Sequence, residues 1–431
     1  MSVSPSRMPA RIAIALVIAG PAHAQEVVEL PVEDRLLNAD IPEVYRVGGG
    51  DSDWELLTTV TSLSFDARGN LHIADLSGDE LEVIVVDPRG TLVRRFGRKG
   101  EGPGEFRDAT EAFALADGRT VVPDNGHFAY HVFAPGGSFE RMVRYPGVGP
   151  SHNRTPAESP GRNPRLRMAD RWSGDLILRV TRVWEVQIDS VTRIGSIRVV
   201  DGPRQVLRLH LGDEDSREDT VSAVMSSDGG AGFQAEFLFG PLPGGAVAIS
   251  NSRDYAIRIT GPSPEVTRVL VRRLAPRPWT DRRLEEYTRH LQRGFREAAA
   301  SGGGVAGIVG GIDKLISSIG EARFSGDIPL IETLETTWEG NIWVGRVPAD
   351  GFPDLDFETM LSGTFAPSQD RPRPRRPGPI DILTPGGAYI GTLPGATMPV
   401  AFGPDGLAAY LEINELDVPE VVVRRLPEGV K

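Results

Sequence analysis

The side chains able to do chemistry are few and thinly spread. The tightest grouping is Asp124-x-x-His127-x-x-x-His131. Imidazoles and a carboxylate are the donors that borderline divalent ions such as zinc take up, and on a helix two residues four apart would share one face. The surrounding pattern is β, where four residues span roughly 13 Å. That is too far for one ion unless the chain turns between them, so the two histidines read as a hairpin pair. Asp75 and Asp124 occupy matching places, each directly after the second strand of a repeat. A carboxylate there either caps the following turn through Asx-type hydrogen bonds or, at the mouth of a channel, offers the hard oxygen suited to Ca2+. Asp75, Asp124 and His127 are therefore the candidate ligand and channel residues, and Asp75 and Asp124 the candidate metal pair. No cofactor is expected, with Ca2+ as the alternative.

The other histidines of the mature chain (His72, His152, His210 and His290) form no recognisable set, and no Gly-x-Ser-x-Gly nucleophile elbow is present. The glycine-rich run 97–104 has the backbone amides for an anion nest, but no Walker lysine or helix follows and Pro103 removes a donor, so it reads as a tight connection. Gly302-x-Gly304-x-x-Gly307 matches the dinucleotide fingerprint in letters only, because it follows a helical pattern where the mechanism needs a strand. Trp279, Trp338 and Trp343 read as packing between a blade and an inserted helix. No catalytic motif stands out, and the balance leans against an enzyme.

The elements that must position these residues are β-strands. Residues 60–107 hold four short runs of β-branched and large apolar residues, joined by Asp-Ala-Arg-Gly at 66–69 and Asp-Pro-Arg-Gly at 87–90. Proline presets φ and glycine supplies the positive φ of a tight turn, so this is an antiparallel meander. A lone meander cannot bury both faces, and the pattern recurs roughly every 50 residues, in the range of propeller blades. Six blades follow: 60–107, 110–145, about 166–211, one after the acidic run 213–228, one starting near Leu330, and one from Pro399. The last is a strand short. An orphan strand near 43–48 supplies the deficit, closing the ring without an unpaired edge. The expected fold is all-β: a six-bladed β-propeller of four-stranded antiparallel blades, forming one domain over 25–431.

Several segments depart from the repeat: exposed loops at 147–165 and 213–228, a helical insertion at about 279–320, and a Pro/Arg-rich loop at about 348–379. In the helical insertion Leu284, Tyr287, Leu291 and Phe295 share a face, Thr280 suits the N-cap, Trp279 and Leu284 suit a hydrophobic staple, and 312–319 suits a second short helix. Residues 1–24 show the charged start, apolar run and Ala-x-Ala end of a secretory signal cut after Ala24. Its removal leaves 45 basic residues against 59 acidic ones, a sign that argues against nucleic acid as partner. The chain has no cysteine, hence no disulfide and no lipid-anchoring thiol. A soluble, periplasmic or secreted monomer without a transmembrane anchor is expected.

The strings Asp-x-x-Gly-Asn-Leu-x-Ile-Ala-Asp at 66–75, Val-Asp-Pro-Arg-Gly at 86–90 and Phe-Gly-Arg-Lys-Gly-Glu-Gly-Pro-Gly-Glu-Phe at 96–106 resemble the six-bladed propellers of the NHL and TolB-like type, in particular exported bacterial members. The likeness spans the mature chain and is strongest in blades one and two. It implies the fold but no single function, since such propellers include lyases, lactonases and scaffolds. The metal-binding Glu, Asn and Asp of gluconolactonase-like members and the channel histidines of the lyase type have no recognisable counterparts. Insertions are where a repeat protein keeps its specificity. The expected role is therefore binding or scaffolding of a protein, peptide or cell-envelope glycan, with a metal-assisted (Ca or Zn) hydrolase or lyase at the channel as the alternative.

Overall fold

In the computed structural model each sequence repeat is an antiparallel sheet, and six such sheets close a ring. The structure describes residues 25–38, 40–50, 52–77, 80–109, 111–145, 161–188, 195–200, 203–225, 237–261, 265–300, 327–353 and 372–431. Two N-terminal strands, β1 (Glu26–Leu30) and β2 (Glu43–Val47), precede the blades. Blade one holds β3 (Val60–Phe65), β4 (Leu71–Ser77), β5 (Glu80–Val86) and β6 (Leu92–Phe96), and blade two holds β7 (Phe113–Ala114), β8 (Thr120–Asp124), β9 (Ala129–Phe133) and β10 (Phe139–Arg144). Blade three consists of β11 (Gly161–Ala169), β12 (Leu176–Ile188), β13 (Gly195–Val200), β14 (Pro203–Leu211) and β15 (Ser216–Met225). Blade four has β16 (Leu238–Pro241), β17 (Val247–Ser250), β18 (Ala256–Thr260) and β19 (Val266–Arg272), followed by the helix α1 (Asp281–Ala300). Blade five has β20 (Ile331–Thr336), β21 (Ile342–Arg346), β22 (Gly378–Leu383) and β23 (Tyr389–Ala396), and blade six β24 (Ala401–Phe402), β25 (Leu407–Ile413) and β26 (Pro419–Arg425).

The turn chemistry acts as its residues dictate. Asp66 Oδ1 accepts from the backbone N–H groups of Arg68 and Asn70, both at 2.9 Å, and Gly69 takes φ +80°. Asp87 repeats the arrangement with Arg89 and Thr91 at 2.8 and 2.9 Å. Between blades, apolar side chains from facing sheets interlock at every seam of the ring. At the closing seam, Leu71, Ile73 and Val86 of blade one meet Ala409, Val421 and Val423 of blade six. The first strands of neighbouring blades approach one another and so lie innermost, around the central channel.

The ring closes as the sequence implies. β2 pairs antiparallel with β26, setting Tyr45 opposite Val423 and Val47 opposite Val421, and the N–H of Arg425 donates to Pro42 O at 3.0 Å. One feature the strand pattern did not reveal is β1, which runs parallel to β19 as a fifth strand of blade four. Between β1 and β2 the chain crosses the outer edge of blade five, where Leu37 N donates to Thr392 O and Thr392 N to Arg35 O, both at 2.8 Å. Residues 26–47 thus strap three blades together. The strap supplies one member of an ion network around buried Arg272 and Asp381: Arg272 Nη1 donates to Asp381 Oδ2 at 2.7 Å and its Nη2 to Asp34 Oδ1 of the strap at 2.6 Å, while Arg346 reaches Asp34 Oδ2 at 2.7 Å.

Blade three is larger than its sequence suggested. The run 216–225 is its outer strand, paired with β14 from Leu211 opposite Ser216, where a loop was expected, and β11 begins within the expected loop 147–165. An outermost strand does not need an apolar face, so its polar composition hid it. The helix forms where its periodicity places it, with Leu284 N donating to Thr280 O at 2.9 Å and Tyr287 and Leu291 buried. The leader 1–24, the second short helix at 312–319 and much of the Pro/Arg-rich loop lie outside the described residues. Among the described residues no helix is long and apolar enough to cross a membrane.

Candidate functional site

Asp75 lies inside β4, two residues before its end, and Asp124 is the last residue of β8; both hold the connection that enters their own blade. Asp75 Oδ2 accepts from Thr58 N at 2.7 Å, and its Oδ1 accepts from Thr58 Oγ1 at 2.8 Å and Thr59 N at 2.7 Å. These bonds reach back 16 and 17 residues to the entering connection, so Asp75 does not cap the turn that follows it, as an Asx-type bond would. Asp124 does the same with Arg107 N on Oδ2 and Asp108 N on Oδ1, both at 2.9 Å, and Oδ1 also accepts Gly126 N at 3.0 Å.

Asp124 has further neighbours. His127 Nδ1 lies 2.7 Å from its Oδ2 and His131 Nε2 lies 3.8 Å from the same atom. The two histidines do belong to one hairpin, and the turn that their sharing an ion required is present: the chain reverses through 125–128, with Phe128 at φ 53°, and the imidazole centroids stand 5.2 Å apart. The signal that could have placed the turn is the Asn125-Gly126 dipeptide directly before His127. His131 is fully buried between Phe106 and Phe139, and neither ring nitrogen has a hydrogen-bond partner. Burial lowers its pKa and favours neutral imidazole. Burial alone would raise the Asp124 carboxyl, but the Arg107 N–H and His127 outweigh it and hold the pKa below the ordinary carboxylate value. In the glycine-rich run, Gly102 N donates to Glu105 Oε2 at 2.8 Å, so the chain's own carboxylate takes up that amide and the connection reading stands.

Neither Asp75 nor Asp124 lines the central cavity of about 120 Å3. Its walls come from the first strands of blades one, two, three, five and six, including Ser62, Ser64, Met168, Thr336 and Phe402, together with Arg171 and Trp338. The Pro/Arg-rich insertion also reaches it, through Pro372 and Arg375. Ser64 Oγ accepts Ala114 N at 2.8 Å, and Ser62 Oγ both accepts Ala112 N at 2.7 Å and donates to Ala112 O at 2.8 Å, joining blades one and two. Glu335 is the one carboxylate among the described lining residues, and Arg375 Nη2 approaches its Oε1 at 3.3 Å.

Arg171 is the unbalanced charge of the cavity. Its guanidinium lies 5.0 Å from the Trp172 ring and 5.5 Å from the Trp338 ring, within cation–π range. Nη2 donates to Thr336 O at 3.1 Å, whereas Nη1 has no hydrogen-bond partner and no carboxylate pairs with the group among the described residues. Burial pulls its pKa down to about 10, against the pull of Asp170, Glu339 and Glu335, so it stays protonated at neutral pH. Sequence reasoning missed Arg171, because an arginine two residues after a strand carries no local sign that it faces a channel. Trp338, expected as packing, lines the cavity and donates from Nε1 to Phe402 O at 2.5 Å. Trp279 and Trp343 do pack: Trp279 lies 5.3 Å from Tyr287 of α1, and Trp343 is buried at the seam of blades five and six.

No family model matches the sequence, and no curated protein matches it. Solved structures do match over nearly the whole chain. A Bacteroides fragilis protein described as exported shares 12% identity over 93% of this chain and 100% of its own, with a TM-score of 0.42. A member of the DUF4221 family from Bacteroides vulgatus shares 10% identity over 90% of this chain and 98% of its own, with a TM-score of 0.46. A streptogramin B lyase shares 9% identity over 90% and 98%, with a TM-score of 0.38.

Proposed function

We propose that the protein is an exported binding module, a divergent propeller of the NHL and TolB-like type, that captures a carboxylate-bearing peptide or cell-envelope glycan at the mouth of its channel. The observation that carries this reading is Arg171, a protonated guanidinium set between two indole rings and facing the cavity, with no carboxylate in direct ion-pair contact among the described residues. Such a group binds carboxylate through charge-assisted hydrogen bonds, strengthened where walls exclude water. In a chain of net charge −12 the cationic mouth is a local exception that steers anions inward. Arg375, paired with Glu335 at 3.3 Å, adds a guanidinium from an insertion, where a repeat fold keeps its specificity. The cavity offers a single carboxylate and no histidine among its described lining residues, so the hydrolase or lyase alternative finds less support there.

Export would follow cleavage after Ala24, and mass spectrometry of the secreted or periplasmic protein should then read Gln25 as the first residue; retention of 1–24 would count against export by that signal. For binding, we expect an Asp/Glu-rich peptide or an oligouronate to alter tryptophan fluorescence saturably, and amidated or esterified forms not to. Arg171→Met should weaken binding by about 10- to 100-fold, the range of one charge-assisted contact. Binding that is equal in Arg171→Met, or absent for every acidic probe, would refute the proposal.

A further inference from the structure

We propose that Asp124, His127 and His131 form a binding site for a borderline divalent transition-metal ion of the zinc class, on the hairpin of blade two and away from the channel. One nitrogen of each imidazole and one carboxylate oxygen lie within 4.8 Å of one another. In a tetrahedral site with metal–donor bonds of about 2.0–2.1 Å, neighbouring donors stand roughly 3.3 Å apart. The distances to Asp124 Oδ2, 2.7 Å from His127 Nδ1 and 3.8 Å from His131 Nε2, straddle that value, and with all three donors within 4.8 Å of one another shifts of at most about 1.5 Å assemble the site.

The second observation is His131 itself. It is 0% exposed, and neither nitrogen is hydrogen-bonded, although phenylalanines surround it and an apolar ring would meet no such deficit. Buried polar groups left unsatisfied are rare in native folds and ask for a missing partner. A cation between Nε2 and Asp124 supplies it. His210 provides the contrast: its two nitrogens are already taken by Asp175 at 2.8 Å and Asp219 at 3.0 Å, so it asks for nothing.

The surroundings suit ligation. The backbone N–H groups of Arg107, Asp108 and Gly126 orient the Asp124 carboxylate, as outer-shell donors do for metal-bound carboxylates. With His127 ligating through Nδ1, its Nε2 points toward Glu101 Oε2 at 3.7 Å, the carboxylate partner that fixes an imidazole's orientation. Two nitrogens and one oxygen are a donor set for zinc, nickel or copper and not for Ca2+, which takes six to eight oxygens. The ion would hold the 125–128 turn against β9. Through Asp124 it would also hold the connection that enters blade two.

The test uses tag-free mature protein stripped with a chelator and titrated separately with Zn2+, Co2+ and Ca2+. We expect one equivalent of Zn2+ with a rise in Tm, the visible absorption of four-coordinate Co2+, and no displacement of Zn2+ by tenfold Ca2+. Loss of a residue that only hydrogen-bonds a metal ligand already weakens sites by about 10–100-fold, so His131→Phe, which suits the aromatic pocket, should weaken Zn2+ by at least about a hundredfold. Asp75→Asn should bind as the parent does. No saturable equivalent in the parent protein would overturn the proposal without recourse to any variant. Parent-like affinity in His131→Phe, or displacement of Zn2+ by Ca2+, would overturn it too.

Discussion

Replacing Arg272 with methionine tests what fastens the N-terminal strap. The Arg272 and Asp381 side chains are both 0% exposed and 2.7 Å apart. Arg272 also donates from Nε to Pro31 O at 2.7 Å and from Nη2 to Val32 O at 3.1 Å and Asp34 Oδ1 at 2.6 Å, so one guanidinium joins blade four, blade five and the strap. Removing one partner of a buried pair costs about 3–5 kcal/mol, because the other charge stays buried without compensation. Here Arg346 Nε still stands 3.3 Å from Asp381 Oδ1, and Thr392 Oγ1 donates to it at 2.6 Å, which places the expected loss near the lower end, about 3 kcal/mol. Urea unfolding followed by tryptophan fluorescence measures it, and limited proteolysis should show faster cleavage within 31–38. Adding Asp381→Asn should restore part of the loss, since the stranded charge is then gone; coupled neighbours differ from additivity by about 0.5–3 kcal/mol. A loss below about 1 kcal/mol, or a double variant as unstable as the sum of the single ones, would show that the pair does not fasten the strap.

Deleting 41–48 removes β2 and bares both β26 and the seam around Tyr45 and Val47, so Tm should fall and light scattering should report association; an unchanged, monodisperse protein would mean that the ring closes by other means. His72 is fully buried beside Thr120 Oγ1 at 2.9 Å, and burial lowers its pKa despite Asp66. The unfolded chain then takes up the proton first, so stability is lost as pH falls through the unfolded value of about 6.5 toward the folded one, by up to about 1.4 kcal/mol per pH unit. His72→Gln should flatten the fall in urea midpoint between about pH 7.5 and 5.5; an equally steep fall would assign that dependence to other groups.

Much of the architecture could be read from contiguous residues. Asp66 with Gly69 and Asp87 with Gly90 make their turns wherever they stand, since the side chain bonds its own backbone and the glycine accepts positive φ. Alternation between such turns defines strands, and the count of strands against blades called for a closing partner, which β2 supplies. The helix was legible for the same reason: a buried face recurring every turn depends only on near neighbours. β1 and β15 were not, because both are added at blade edges, where pairing with β19 and β14 replaces an apolar face as the reason to be a strand.

Sequence alone therefore determined the blade, its repetition, the closing strand and the turns at Asp66 and Asp87, each set by interactions within a few residues or by the demand that no sheet edge remain open. Tertiary structure alone decided which side chains share a space. Arg171, Trp338 and Arg375 meet at the channel from separate blades, Arg272 finds Asp34 of the strap, and His127 turns back onto Asp124 and His131. Charge and desolvation act through distance in space, and that distance exists only once the ring has closed.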